Sequence, residues 1–276
     1  MTTSDRAADE PPPIGRTWMV GHDHTAPVIV GALDGSAPSR CTTALAAGLI
    51  KRMGWRLALV PVPLTATAAD RRRRLVAAAL DERAALIASP ATDHGPAGGG
   101  KAAACLALAA RAPCPVLAVP LALGTEPALN GPVVCGIDGA DSSAFIAHAA
   151  ARLAVALGAG LELVHVAAPR ESGAAPLVGL ASPFGGRMWR ALHSLEVIPP
   201  VEVLVESGDP AGRLCALAES EGALVVIGAP ANGETEGEGR LAATILTKSH
   251  VPVAVVSGGD RNMPGVARVG LKALAA

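Results

Sequence analysis

Residues 134–166 read VCGIDGADSSAFIAHAAARLAVALGAGLELVHV, and this stretch decides the fold. The apolar run from Val133 to Ile137 stops at Asp138-Gly139, as a strand buried on both faces stops at a tight turn. Asp141 or Ser142 is placed to cap the segment that follows. There Phe145, Ala149, Leu153, Ala156 and Leu157 recur at helical spacing up to Gly158. Leu161 to Val166 forms a second apolar run. Strand, helix and strand in that order describe a parallel pair joined by a covering helix.

The same pattern stands earlier in the chain. Residues 30–62, VGALDGSAPSRCTTALAAGLIKRMGWRLALVPV, align to it without a gap at an offset of 104. Asp34-Gly35 meets Asp138-Gly139, Gly54 meets Gly158, and Leu57, Val60 and Val62 meet Leu161, Val164 and Val166. The two copies also end alike, Cys114-Pro-Val-Leu-Ala-Val against Val251-Pro-Val-Ala-Val-Val. That second match has an offset of 137, so the first copy is 33 residues shorter in its middle. Solenoid units run about 20–50 residues, so a repeat of this length is a duplicated domain. The expected organisation is an unstructured arm over 1–24, a truncated domain over 25–120, a Pro/Gly-containing linker over 121–131, a full domain over 132–257, and a tail over 258–276.

Completing each copy gives the sheet. After Val166 come a helix near Arg187 to Glu196 and a strand at Val201–Val205. A helix follows, opened by Asp209 as cap with Pro210 at its first position, and then strands at Leu224–Ile227 and Val253–Val256. The first copy shows strands at Val28–Leu33, Leu57–Val62, Leu86–Ala88 and Val116–Val119. Its helix from Ala69 to Arg83 runs directly into the third of these, so one helix–strand pair is missing. The fold class is α/β: two Rossmann-like parallel-sheet domains in tandem, the first with four strands and the second with five.

Composition narrows the function. Of 276 residues half are apolar, yet there is no Tyr and there are only two Phe and three Trp, so the core is built from Ala, Val and Leu. A chain this apolar buries a core, which excludes global disorder. Scarce aromatics and a net charge of −1 weigh against base-stacking and polyanion-binding surfaces, so no nucleic-acid partner is expected. Cys41, Cys105, Cys114, Cys135 and Cys215 are scattered, as small buried hydrophobes of a reducing compartment are. No uncharged apolar run reaches the roughly 18 residues of a membrane span, and the polar start lacks a signal segment. The expected location is cytoplasmic.

The sequence resembles the universal stress protein family as a tandem pair. The resemblance rests on Ile137-Asp138-Gly139, Leu163-Val164-His165-Val166, Gly208-Asp209-Pro210, Ala223-Leu-Val-Val-Ile-Gly228 and Val251-Pro-Val-Ala-Val-Val256, in that order. It implies a Rossmann-like, adenine nucleotide alpha hydrolase-like fold and pairing of two domains, often through the last strand. Here the partner is the chain's own second copy, an intramolecular pseudo-dimer, with homodimerisation and an unidentified protein partner as further expectations. Some members bind ATP and others bind no nucleotide.

Resemblance to the ATP-binding members implies a ligand near Asp34 and Asp138, at the ends of the first strands. The alternative for each is a local role, holding the Asp-Gly turn and capping the helix. The family's phosphate loop reads Gly, two residues, Gly, nine residues, Gly, then Ser or Thr, small residues that let backbone N–H groups reach phosphates. In the second copy Gly228 and Gly239 match the outer glycines. Ala231 replaces the middle one, with Gly233 the nearest substitute, and Arg240 holds the Ser/Thr place. The loop is two residues short and carries Glu234, Glu236 and Glu238, which repel a triphosphate. In the first copy Ser89, Thr92, Ala102 and Ala103 hold the motif positions. Nearby, Gly98, Gly99, Gly100 and Lys101, followed by Ala102, form a near miss to a P-loop.

Other candidates carry less. His22-Asp23-His24 lacks a third metal ligand, Ser257-Gly-Gly-Asp260 lies after the last strand, and Arg71 to Arg74 read as a solvated helix face. His148 and His165 have no paired nucleophile. The reading is a non-enzymatic stress-response protein with degenerate ATP motifs and no cofactor. The first alternative is an ATP-binding protein using the Gly-rich loop of the first copy, and the second an ATP-hydrolysing enzyme of the same superfold.

Overall fold

The computed structural model describes residues 17–20, 25–91, 101–121, 129–167, 183–221, 224–229 and 238–257. After a short first strand, β1 (Trp18–Val20), the first half runs β2 (Val28–Leu33), α1 (Ala37–Met53), β3 (Arg56–Pro61), α2 (Ala68–Asp81), β4 (Leu86–Pro90), α3 (Lys101–Ala109) and β5 (Val116–Val119). The second half runs β6 (Val133–Ile137), α4 (Asp141–Leu157), β7 (Leu161–Ala167), α5 (Pro183–His193), β8 (Val201–Ser207), α6 (Pro210–Glu221), β9 (Leu224–Ala229), α7 (Glu238–Lys248) and β10 (Val253–Ser257). The four parallel strands of one half and five of the other are present.

The offset of 104 persists in the backbone. Helices α1 and α4 are each 17 residues long, and Gly54 and Gly158 close them in the left-handed region at φ 66° and 61°. Gly35 and Gly139 turn the chain ahead of them at φ 76° and 85°, a conformation that costs a glycine little. One capping expectation needs correction. Neither Asp141 nor Ser142 caps α4; the N-cap is Ala140, which makes no side-chain cap bond, and Asp138 receives the Ala140 amide instead. Asp34 accepts from the Ser36 amide in the same way in the first half, where Ser36 also caps its helix.

All strands join one sheet in the order β1-β3-β2-β4-β5-β10-β9-β6-β7-β8. Within each half β2 to β5 and β6 to β10 are parallel, and the halves meet antiparallel through their last strands, Val116, Leu117 and Ala118 facing Val255, Ala254 and Val253. Helices α1, α4 and α5 cover one face and α2, α3, α6 and α7 the other. Each apolar core therefore runs through both halves.

Trp18–Val20 corrects the expected unstructured arm. These residues pair antiparallel with β3, on the edge of β3 that corresponds to the edge of β7 covered by β8. The pair missing from the first half leaves that edge bare, and three apolar residues from the arm close part of it. Residues 1–16 and 21–24 lie outside the described residues, as do most of the linker and the tail.

Candidate functional site

Each half steps from its first strand to a neighbour on one side, then returns to the other side. The order reverses between β2 and β4 and again between β6 and β9, and an α/β sheet opens its ligand crevice at the C-terminal ends of such strands. Asp34 and Asp138 stand there, one residue past β2 and β6.

Both carboxylates are held by the same turn. The Asp34 amide donates to Ser39 Oγ at 3.3 Å and the Ser36 amide donates to Asp34 Oδ1 at 2.9 Å. In the second half the Asp138 amide donates to Ser143 Oγ at 3.3 Å and the Ala140 amide to Asp138 Oδ1 at 2.9 Å. The serines were not singled out from sequence, although they share the offset of 104. Their buried hydroxyls diverge: Ser39 donates to the Ala32 carbonyl, Ser143 to Asp138 itself.

Beyond the turn the halves part. The other Asp34 oxygen, Oδ2, accepts from the Arg71 guanidinium on α2, and the Asp34 side chain is only 1% exposed. Burial raises its pKa, but the bonds from Ser36 and Arg71 outweigh that and hold the carboxyl below the ordinary range. Asp138 is exposed and forms no ion pair among the described residues. Arg71, read from sequence as part of a solvated face, is the site residue that reasoning missed. In the structure the first turn of α2 stands beside Asp34, a placement no local feature of the sequence announced.

The remaining candidates fall as follows. Gly228 lies in β9, where a Cβ would stand 2.5 Å from Ile146 Cδ1, so the Ile146 side chain of α4 occupies the space a side chain there would take. Gly239 lies in the first turn of α7 and Lys101 begins α3. Gly98, Gly99, Gly100 and Gly233 lie outside the described residues, as do His22, Asp23 and His24. His165 donates Nδ1–H to the Ile137 carbonyl at 3.1 Å, and His148 donates to the Ala191 carbonyl at 2.9 Å, joining α4 to α5. Burial pushes the thiols of Cys105, Cys114 and Cys135 up to about 12, which leaves them inert packing groups. Among the described residues no metal-ligating cluster occurs, and no helix is long and apolar enough to cross a membrane.

Residues 130–257 match the sequence model of the Universal stress protein family. No curated protein matches the chain. Among solved structures, a universal stress protein from Archaeoglobus fulgidus DSM 4304 is similar at 16% identity and a TM-score of 0.60, covering 84% of this chain and 97% of that one. A putative universal stress protein from Pseudomonas aeruginosa UCBPP-PA14 is similar at 16% identity and a TM-score of 0.51, covering 92% of this chain and 99% of that one. A universal stress protein from Archaeoglobus fulgidus in complex with dAMP covers 47% of this chain and 98% of its own, at 17% identity and a TM-score of 0.35. At such identities the likeness is one of fold. Residues 130–257 thus match the universal stress protein family in sequence, and most of the chain shares the fold of universal stress proteins.

Proposed function

We propose that this chain is a non-enzymatic stress-response or regulatory protein whose nucleotide sites have degenerated. The ion pair between Arg71 and Asp34 carries the reading. In the first half the carboxylate that would accept hydrogen bonds from a nucleoside already accepts from Ser36 and Arg71, with its side chain buried. In the second half Asp138 is accessible, but the loop after β9 contains Glu234, Glu236 and Glu238 and lacks the middle glycine of the family motif. Neither crevice then combines a free carboxylate with a phosphate-binding loop. The two halves act as a fused pseudo-dimer about the β5–β10 seam, and the protein works in the cytoplasm.

Titration calorimetry with ATP, ADP and AMP tests this: the full chain is expected to give no binding heat. Micromolar binding abolished by Lys101→Ala would establish the second reading, a nucleotide held by Asp34, Gly98, Gly99, Gly100 and Lys101. That reading is favoured by one observation, that α3 begins at Lys101 directly after the glycines and so offers its N-terminal amides there. Phosphate release from ATP above buffer would favour the ATP-hydrolysing enzyme instead.

A further inference from the structure

The second half covers one flank of its sheet with α5, and among the described residues the first half has no counterpart. In the second half α5 packs beside α4, received by His148, and its Met188 and Leu192 are 0% exposed. Through the offset of 104, Ala44 on α1 corresponds to His148, and Gly48 corresponds to Arg152. The opposite side of α1 is already engaged: Leu49 and Met53 meet Leu153 and Leu157 of α4 in the middle of the molecule, and Arg52 donates to the Leu157 carbonyl. The side bearing Ala44 and Gly48 therefore faces the place that α5 would fill.

The sheet beneath that place is apolar and open at its edge: Leu57 is buried and Leu59 half-buried, and the exposure lies on β1. Trp18 and Val20 lie opposite Leu59 and Leu57, whose side chains belong to the α1 face of the core, so all four share that face. Yet Trp18 and Val20 are each 48% exposed. A contiguous exposed apolar area on a folded protein marks an interaction site. Small side chains at Ala44 and Gly48 let a helix approach α1 closely; a Cβ added at Gly48 would meet nothing within 4 Å.

The rim identifies the occupant by charge. Arg40 and Lys51 fall on the same stripe of α1 as Ala44 and Gly48, and Arg56 opens β3. No acidic residue occurs in α1, β1 or β3. We propose that this flank of the first half docks an acidic amphipathic helix of a partner protein, seated on Trp18, Val20 and Leu59 as α5 is seated in the second half. Apolar positions at helical spacing would cover the sheet, and carboxylates would face Arg40 and Lys51.

The probe is a helix-stabilised peptide of residues 183–196 carrying Arg187→Glu and Arg190→Glu, which keeps the buried pattern of α5 and reverses its charge. It is expected to bind the full chain at least tenfold more tightly than the peptide of native sequence, and more weakly as salt rises. Gly48→Glu, on the open side of α1, should weaken binding about tenfold or more, and Lys51→Glu serves as a second variant should the first fail to fold. Absence of binding, or binding indifferent to both substitutions, overturns the proposal. So does self-association of the free protein that Gly48→Glu abolishes, which assigns the flank to a second copy. A gain in peptide affinity on Leu271→Glu assigns it to the chain's own tail and overturns the proposal equally.

Discussion

Two buried carboxylates resolve the same problem in opposite ways. Asp34 stays charged because the Ser36 amide and Arg71 compensate for its burial. Its contribution to stability is present above the ordinary aspartate pKa and is lost as pH falls through the lowered value. Glu162, near the start of β7, has no ion-pair partner among the described residues. It is 8% exposed, it lies opposite Glu202 on β8, and its Oε2 has no hydrogen-bond partner. Burial first, then the neighbouring charge of Glu221 at the end of α6 and that of Glu202, push its pKa up to about 7. A raised folded-state pKa reverses the sign: the contribution is full below the ordinary glutamate pKa and is lost as pH rises through about 7. Wild type should therefore lose about 2 kcal/mol relative to Glu162→Gln between pH 5 and pH 8 in urea unfolding. Parallel profiles would show that Glu162 titrates normally. Glu162 stands inside Leu161 to Val166, a stretch read from sequence as an apolar run without Glu162 being singled out. Arg71 was not legible as a site residue either, because nothing local to an Arg-rich helix names a partner 37 residues away.

At the scale of elements, pattern and punctuation carried most of the fold. The runs Val28–Leu33, Val116–Val119 and Val133–Ile137 are strands with the bounds their apolar residues indicate. Asp209 caps α6 through the Gly212 amide at 3.0 Å, as Gly-Asp-Pro suggests. What escaped were features set by tertiary context: β1, whose three residues form a strand only because β3 has a vacant edge, and the start of α4, which begins at Asp141 and so places Ala140 at the N-cap. The second point gives a prediction. Ser36 and Ala140 have nearly the same backbone conformation, φ −69° and ψ 159° against φ −69° and ψ 162°, but only Ser36 accepts a side-chain bond, from the Ser39 amide. Ala140→Ser should recreate that cap on α4 and raise unfolding stability by about 1 kcal/mol, read from the denaturation midpoint at constant m-value. An unchanged midpoint would mean that a side-chain cap adds nothing to the start of α4.

Over the whole molecule, the two halves form one sheet with two unequal ends. The seam is dry, with Val116, Leu117, Ala118 and Val253 to Val255 all at or below 1% exposure, so the halves share their cores. The four and five parallel strands of the two halves were readable from the chain because they rest on local periodicity. The fusion of two parallel sets into one sheet was expected only through family resemblance, since no local pattern specifies which edges meet. The halves differ where function would reside: the first has a closed carboxylate and an uncovered flank, the second an open carboxylate and an acidic loop. The central claim is that neither crevice retains a nucleotide, and its most direct test is mass spectrometry of the purified full chain after denaturation. The account predicts no adenine nucleotide released with the protein; a nucleotide recovered at one equivalent per chain would contradict it.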